Sequence, residues 1–168
     1  TPVFVDIDPA SYNIDPEEIK KYLKSSSPST KVVGLIPVHL YGRPCDMDAI
    51  MEIAQQRGLF VVEYVAQAFG AAWKGRKTGA IGSTGTYSFF PSKNLGGCGD
   101  GGMVSTDDDD IAGLVSMLLK HGGKDKYNVD HIGYNARLDT LQAAILLAKL
   151  AYIDEFNAKR RALAAAYS

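Results

Sequence analysis

Cysteine is scarce: the 168 residues hold only two, Cys45 and Cys98. Two thiols make no disulfide framework, so a reducing cytoplasm is the simplest compartment. Histidine is scarce too. His39, His121 and His131 are far apart, with no i,i+4 pair and no cysteine at ligand spacing, so no metal site can be read. The four aspartates Asp107 to Asp110 lack the spaced ligands and glycine of a calcium loop. No apolar run approaches the roughly 20 residues of a membrane span, and no basic-then-apolar leader opens the chain. The net charge of −1 gives no general pull toward nucleic acid or acidic membrane. An initiator methionine is also missing. The chain begins directly in strand-like sequence, TPVFVDID, which reads as a fragment.

Nearly half the residues are apolar, enough for the core of about one domain. Val3 to Ile7 reads as a strand. Asp15-Pro16-Glu17-Glu18 starts a helix, with a capping aspartate, a proline suited to the first turn and two acids at the positive end of the dipole. Ser25 to Thr30 is a polar linker. Lys31 to Leu40 reads as a second strand. Asp46 caps a helix through Gln56 that places Ile50, Ile53 and Ala54 on one face and closes at Gly58. Leu59 to Val65 is a third strand, apolar enough to suggest burial on both faces. Gly85 to Phe90 and Met103 to Thr106 are two more strands. Asp107 to Asp110 lead into a helix ending near Lys120, His121 to Tyr134 is loop, and Leu138 onward is one long helix. Strands alternating with helices predict an α/β fold with a mostly parallel sheet.

The most informative segment is Thr86 to Val104. A β-branched and aromatic run stops at Pro91, which cannot continue a central strand. Lys93 follows, and then five glycines fall within residues 96–102. Glycine admits close approach, so the loop can press against a flat ligand. A desolvated lysine is an amine nucleophile able to form a Schiff base with a carbonyl. The same pattern fits a surface lysine in a glycine-rich hairpin. It is no Walker A loop, because the lysine precedes the glycines. Ligands of parallel sheets bind beyond the carboxyl ends of strands, which makes Glu63, Tyr64 and Gln67 candidates, unless the strand tip merely meets solvent. Ser88, five residues before Lys93, could hold a phosphate or bond a neighbouring backbone group. Asn135 and Arg137 lie just before the last helix, where amides favour anions, and Arg137 could grip a phosphate or carboxylate. They also fit an N-cap and a surface arginine.

Five stretches in order, PVFVDID, VHLYGRPCDMDAI, VVEYVAQAFGA, GTYSFFPSKNLGGCGDGGMV and HIGYNARLDTLQAAIL, cover nearly the whole chain. Together they resemble the DegT/DnrJ/EryC1/StrS family of PLP-dependent nucleotide-sugar aminotransferases. The resemblance implies an incomplete large domain of the aspartate-aminotransferase-like fold (fold type I). Residues 1–137 would be its central part, and 138–168 a long helix leading toward a small domain. It implies transfer of an amino group, usually from glutamate, to a keto group of a nucleotide-linked sugar, in cell-surface polysaccharide or deoxyamino-sugar biosynthesis. Lys93 would form the Schiff base with pyridoxal 5'-phosphate and shuttle protons. Ser88 would hold the cofactor phosphate and Gln67 the ring 3-oxygen. Asn135 would reach the phosphate of the neighbouring subunit's cofactor, and Arg137 would lie near the sugar substrate, implying a homodimer with shared active sites.

Two departures stand out. The family pattern at the third strand reads Glu-Asp-x-x-Gln, and its aspartate pairs with the pyridinium nitrogen. This chain has Tyr64 there, and a phenol carries no charge at neutral pH. Glu63 is no substitute, since neighbouring strand residues point to opposite faces. Tyr64 leaves room for a second reading, a catalytically impaired relative that binds cofactor or nucleotide sugar as a regulator. A sugar dehydratase of the same family is disfavoured, because those branches resemble forms with histidine in place of Lys93. The second departure is length, about half that of the family. Alone, the chain should expose apolar edges and fold poorly.

Overall fold

The structure, a computed structural model, describes residues 1–25, 31–123 and 127–167. Most of the expected linker at 25–30, and residues 124–126 of the expected loop, lie outside them. Contacts divide the chain into two compact units, Thr1–Tyr87 and Ser88–Ser168.

In the first unit, α1 (Pro16–Ser25) starts where the cap signal places it: the Asp15 carboxylate accepts the Glu17 N–H at 2.8 Å. Strand β1 (Gly34–Leu35) is followed by a single 3-10 turn, Leu40–Gly42. Helix α2 (Met47–Arg57) follows, with its first turn capped by Asp46, which accepts the Ala49 N–H at 3.1 Å. It ends at Gly58, whose left-handed φ of 61° favours glycine. Strand β2 (Phe60–Tyr64) leads to a small antiparallel hairpin, β3 (Ala72–Trp73) and β4 (Arg76–Lys77), and then to β5 (Thr84–Ser88). β2 lies between β1 and β5 and pairs in parallel with both, with Gly34 opposite Phe60 and Tyr64 opposite Thr86. The core joins Ile19 of α1, Met47, Ile50, Ile53 and Ala54 of α2, Leu35 and Val61 of the sheet, and Ile81.

Three strand expectations change. Val3 to Ile7 forms no strand; it pairs only at the Ile7–Ile14 bridge, and Phe4 is 92 % exposed. An extended segment becomes a strand only through a neighbour's hydrogen bonds, and here a local turn reaches only its end, where the Asp15 N–H donates to the Asp6 carbonyl at 3.1 Å. Lys31 to Leu40 keeps only β1 and an isolated Val38–Tyr64 bridge. Pro37, which has no N–H, interrupts the ladder, though its carbonyl still accepts the Tyr64 N–H at 2.9 Å. β2 is not buried on both faces. Val61 and Glu63 are buried, whereas Phe60 and Tyr64 are 49 % and 43 % exposed. The alternation of strand side chains survives because one face alone meets the core.

The second unit holds β6 (Gly102–Ser105) and α3 (Asp109–Leu118). Asp108 caps α3, accepting the Asp110 and Ile111 N–H groups at 2.9 and 3.0 Å. The expected single helix from Leu138 is instead two, α4 (Thr140–Leu150) and α5 (Ile153–Tyr167), parted by a turn at Ala151 and Tyr152. The Tyr152 N–H reaches the Lys149 carbonyl at 3.0 Å, the tighter spacing that closes a helix. Asp154 and Glu155 occupy the first turn of α5, where the dipole favours acids. Among the described residues, no helix is long and apolar enough to cross a membrane.

Candidate active site

Side chains of the expected site lie in both units. The first carries Tyr64 and Gln67 at the carboxyl end of β2. Their neighbour Glu63, also a candidate from the sequence, does not meet solvent at the strand tip. It is fully buried. One carboxylate oxygen accepts from the Ile81 and Gly82 N–H groups, both at 2.7 Å; the other accepts from the Gly79 N–H at 2.8 Å and meets His39 Nε2 at 3.0 Å. His39 is also fully buried, and its Nδ1 accepts the Cys45 N–H at 3.0 Å. A nitrogen that accepts carries no proton, so the His39 proton sits on Nε2 and is donated to Glu63. Burial pushes the Glu63 carboxyl up, but the bonds from His39 and from the Gly79, Gly82 and Ile81 amides outweigh it and hold the group below the ordinary carboxylate range. Glu63 therefore ties the Gly79–Gly82 turn to the sheet and is committed to the scaffold.

Cys45 shares this interior. Burial, followed by the Glu63 charge, pushes its thiol up to about 12, and its Sγ–H donates to the Val38 carbonyl at 3.2 Å. Cys98 is exposed. Since the thiolate is the reactive form, a disulfide reagent should modify one thiol per chain in native buffer, at Cys98, and two in denaturant. Two fast equivalents under native conditions would contradict the buried position of Cys45.

Tyr64 shows the opposite environment. Its backbone is fixed, the carbonyl accepting the His39 N–H at 3.1 Å, but its side chain lies on the half-exposed face of β2. Gln67 is held by the turn after β1. The Tyr41 N–H donates to Gln67 Oε1 at 2.8 Å, with Tyr41 itself in the left-handed region at φ 54°. The buried Asn13 secures that turn, accepting the Leu40 N–H at 3.0 Å and donating to the Arg43 carbonyl at 2.9 Å. With Oε1 engaged, the Gln67 Nε2 is the atom left to donate.

In the second unit Ser88 ends β5, and its Oγ accepts the Phe90 N–H at 3.3 Å. This is the local bond that the sequence leaves open, and it spares the hydroxyl hydrogen. The backbone then turns at Pro91 and Ser92, where the Lys93 N–H reaches the Phe90 carbonyl at 2.9 Å. The glycine segment closes back onto the strand end, with the Gly97 N–H on the Phe89 carbonyl at 2.8 Å and the Phe89 N–H on the Gly101 carbonyl at 2.7 Å. Gly96 is required here, because a Cβ would overlap the Pro91 carbonyl. Lys93 is half-buried, and among the described residues its amine has no partner.

Asn135 and Arg137 are not at the helix N-terminus that their spacing suggests. The α4 N-cap is Asp139, Asn135 pairs with Lys120 in an isolated bridge, and the exposed Arg137 guanidinium meets His121 Nε2 at 3.4 Å. Both residues precede the first turn of α4, where the dipole acts.

The model of the DegT/DnrJ/EryC1/StrS aminotransferase family matches residues 1–168. A Geobacillus stearothermophilus protein named pleiotropic regulatory protein is 48% identical over 167 residues, 99% of this chain and 44% of that protein. The UDP-2-acetamido-2-deoxy-3-oxo-D-glucuronate aminotransferase of Pseudomonas aeruginosa is 46% identical over 99% of this chain and 45% of its own length. The crystal structure of S. venezuelae DesV in complex with a ketimine intermediate superposes with a TM-score of 0.91 at 45% identity, over 99% of this chain and 44% of that one. The chain thus spans less than half the length of the relatives it matches. It has the α/β fold of PLP-dependent aminotransferases and belongs to the DegT/DnrJ/EryC1/StrS aminotransferase family.

Proposed function

We propose that the protein carrying this chain transfers an amino group, with glutamate as donor, to a keto group of a nucleotide-linked sugar, using pyridoxal 5'-phosphate. One observation carries the reading. A lysine whose half-buried amine has no partner among the described residues follows the turn at the end of a parallel strand, in a chain that matches an aminotransferase family throughout. The keto-sugar aminotransferase of Pseudomonas aeruginosa supports the substrate class.

The side chains suit pyridoxal phosphate at three positions and depart from it at one. The Lys93 amine would attach the cofactor's aldehyde and carry the proton that moves during transfer. The Ser88 hydroxyl can give its hydrogen to the phosphate. The Gln67 Nε2, fixed as a donor by Tyr41, suits the ring 3-oxygen. Tyr64 departs, since it brings no negative charge toward the ring nitrogen. Bound there, the cofactor would supply the electron sink for the chemistry, while these residues orient it. Asn135 would serve the phosphate of a neighbouring subunit's cofactor and Arg137 the sugar nucleotide, in a cytoplasmic homodimer with shared sites. Residues 1–137 would form the central part of the cofactor-binding domain, with 138–168 leading toward a smaller one.

The protein mixed with pyridoxal phosphate should develop a visible chromophore that borohydride bleaches, leaving the reduced adduct on Lys93 by peptide mass. Glutamate should then convert the cofactor to its pyridoxamine form. An adduct on another lysine, or none, would sink the proposal. A chromophore that ignores glutamate would favour a cofactor-binding protein with a regulatory role.

A further inference from the structure

The glycines after Lys93 face the protein. A Cβ at Gly97 would stand 2.7 Å from Gln142 Oε1, and one at Gly99 would stand 3.1 Å from Gln142 Nε2. Between them the Cys98 N–H donates to Gln142 Oε1 at 2.8 Å. The missing side chains thus admit the amide of Gln142, an α4 residue, against the loop backbone. Two turns further along α4, Lys149 donates to the Gly96 carbonyl. Gln142, Leu146 and Lys149, at i, i+4 and i+7, share one helical face, and Leu146 is buried. On α5, Ile153 and Asn157 are buried, and Asn157 Oδ1 accepts the Asn94 Nδ2–H at 2.7 Å. Asn94 is the residue next to Lys93.

We propose that Gln142 and Asn157 are positioning residues for Lys93, holding the backbone on its C-terminal side against α4 and α5 through Cys98 and Asn94. This rests on the reading of Lys93 as the cofactor's lysine. The geometry is specific. Asn157 restrains the adjacent residue and Gln142 the loop five residues on, while the Phe90 carbonyl fixes the Lys93 N–H itself. The lysine therefore projects from a segment anchored on both sides rather than from a free glycine loop. Anchoring limits the directions the amine samples, which is how a scaffold converts proximity into rate.

The test compares Gln142→Leu, which keeps bulk but loses the acceptor, with Gln142→Glu, which keeps an oxygen for the Cys98 N–H. In Gln142→Leu, the Cys98 amide should exchange its hydrogen about tenfold faster, from the loss of one hydrogen bond. Amides of α3 should be unchanged. Competitive acetylation of Lys93, read by peptide mass against the other lysines, should rise severalfold. Pyridoxal phosphate should bind to Lys93 about tenfold more weakly. Gln142→Glu should stay within about twofold of the parent in all three, and Asn157→Leu should repeat the Lys93 changes. Unchanged Cys98 exchange, unchanged Lys93 acetylation, or faster exchange that includes α3 would each overturn the proposal. If the parent takes up no cofactor at Lys93, the proposed function fails, while exchange and acetylation still decide the positioning role.

Discussion

Replacing Tyr64 by aspartate should raise the turnover of the cofactor-loaded protein by about 100-fold or more, equal to ~2.7 kcal/mol or more off the barrier. The reason is electrostatic. A carboxylate facing the pyridine nitrogen keeps it protonated, and a protonated ring accepts electrons far better than a neutral one. A phenol cannot do this at neutral pH. The structure removes the obvious compensations. Glu63, one residue away, points to the other face of β2 and is occupied by four donors. The exchange should also cost little stability, because Tyr64 is 43 % exposed and its hydrogen bonds to Pro37 and His39 run through the backbone. The measurement is kcat for glutamate-dependent amino transfer in both proteins, with the pyridoxamine half-reaction followed separately. A Tyr64→Asp protein no faster than its parent would show that the ring nitrogen is governed by some other group.

What could be read in advance depended on how local its cause is. The cap at Asp46 and the stop at Gly58 follow from residues within one turn, and the structure places them as the sequence does; of the four aspartates that lead into α3, the structure makes Asp108 the cap. The parallel pairing of β1 with β2 follows from the helix between them, whereas β2 and β5 are parallel although a hairpin and no helix joins them. Long-range causes were harder to read. Val3 to Ile7 has strand chemistry, but among the described residues no neighbouring strand pairs with it. The break between α4 and α5 contains neither glycine nor proline; its only sequence mark is the acid pair Asp154 and Glu155. At the site, Lys93 and its turn were legible from the proline and glycines. That the glycines admit Gln142 was not, because the partner lies more than forty residues away. The same holds for His39, whose one signal is a polar residue inside the otherwise apolar run VVGLIPVHL.

The second large effect is on stability. Glu63→Gln should destabilise the protein by about 3 kcal/mol, within the range for breaking a buried polar network. The replacement is nearly isosteric, so packing is preserved and the loss is electrostatic. Each carboxylate oxygen accepts two donors: Ile81 and Gly82 on one, Gly79 and His39 on the other. An amide offers one oxygen and one NH2, so two of the four donors would face another donor in a dry interior. The pH dependence gives an independent check. Glu63 in the folded protein titrates below the ordinary glutamate value of about 4.3. The unfolded chain therefore binds this proton first as pH falls. The stabilisation is fully present above about pH 4.3 and is lost as pH drops from there through the folded value. Urea unfolding between neutral pH and pH 3 should show the parent losing its advantage over Glu63→Gln across that acid window, the two curves converging at the low end. Parallel curves would show that the charge on Glu63 contributes nothing, and that the buried cluster is held by packing alone.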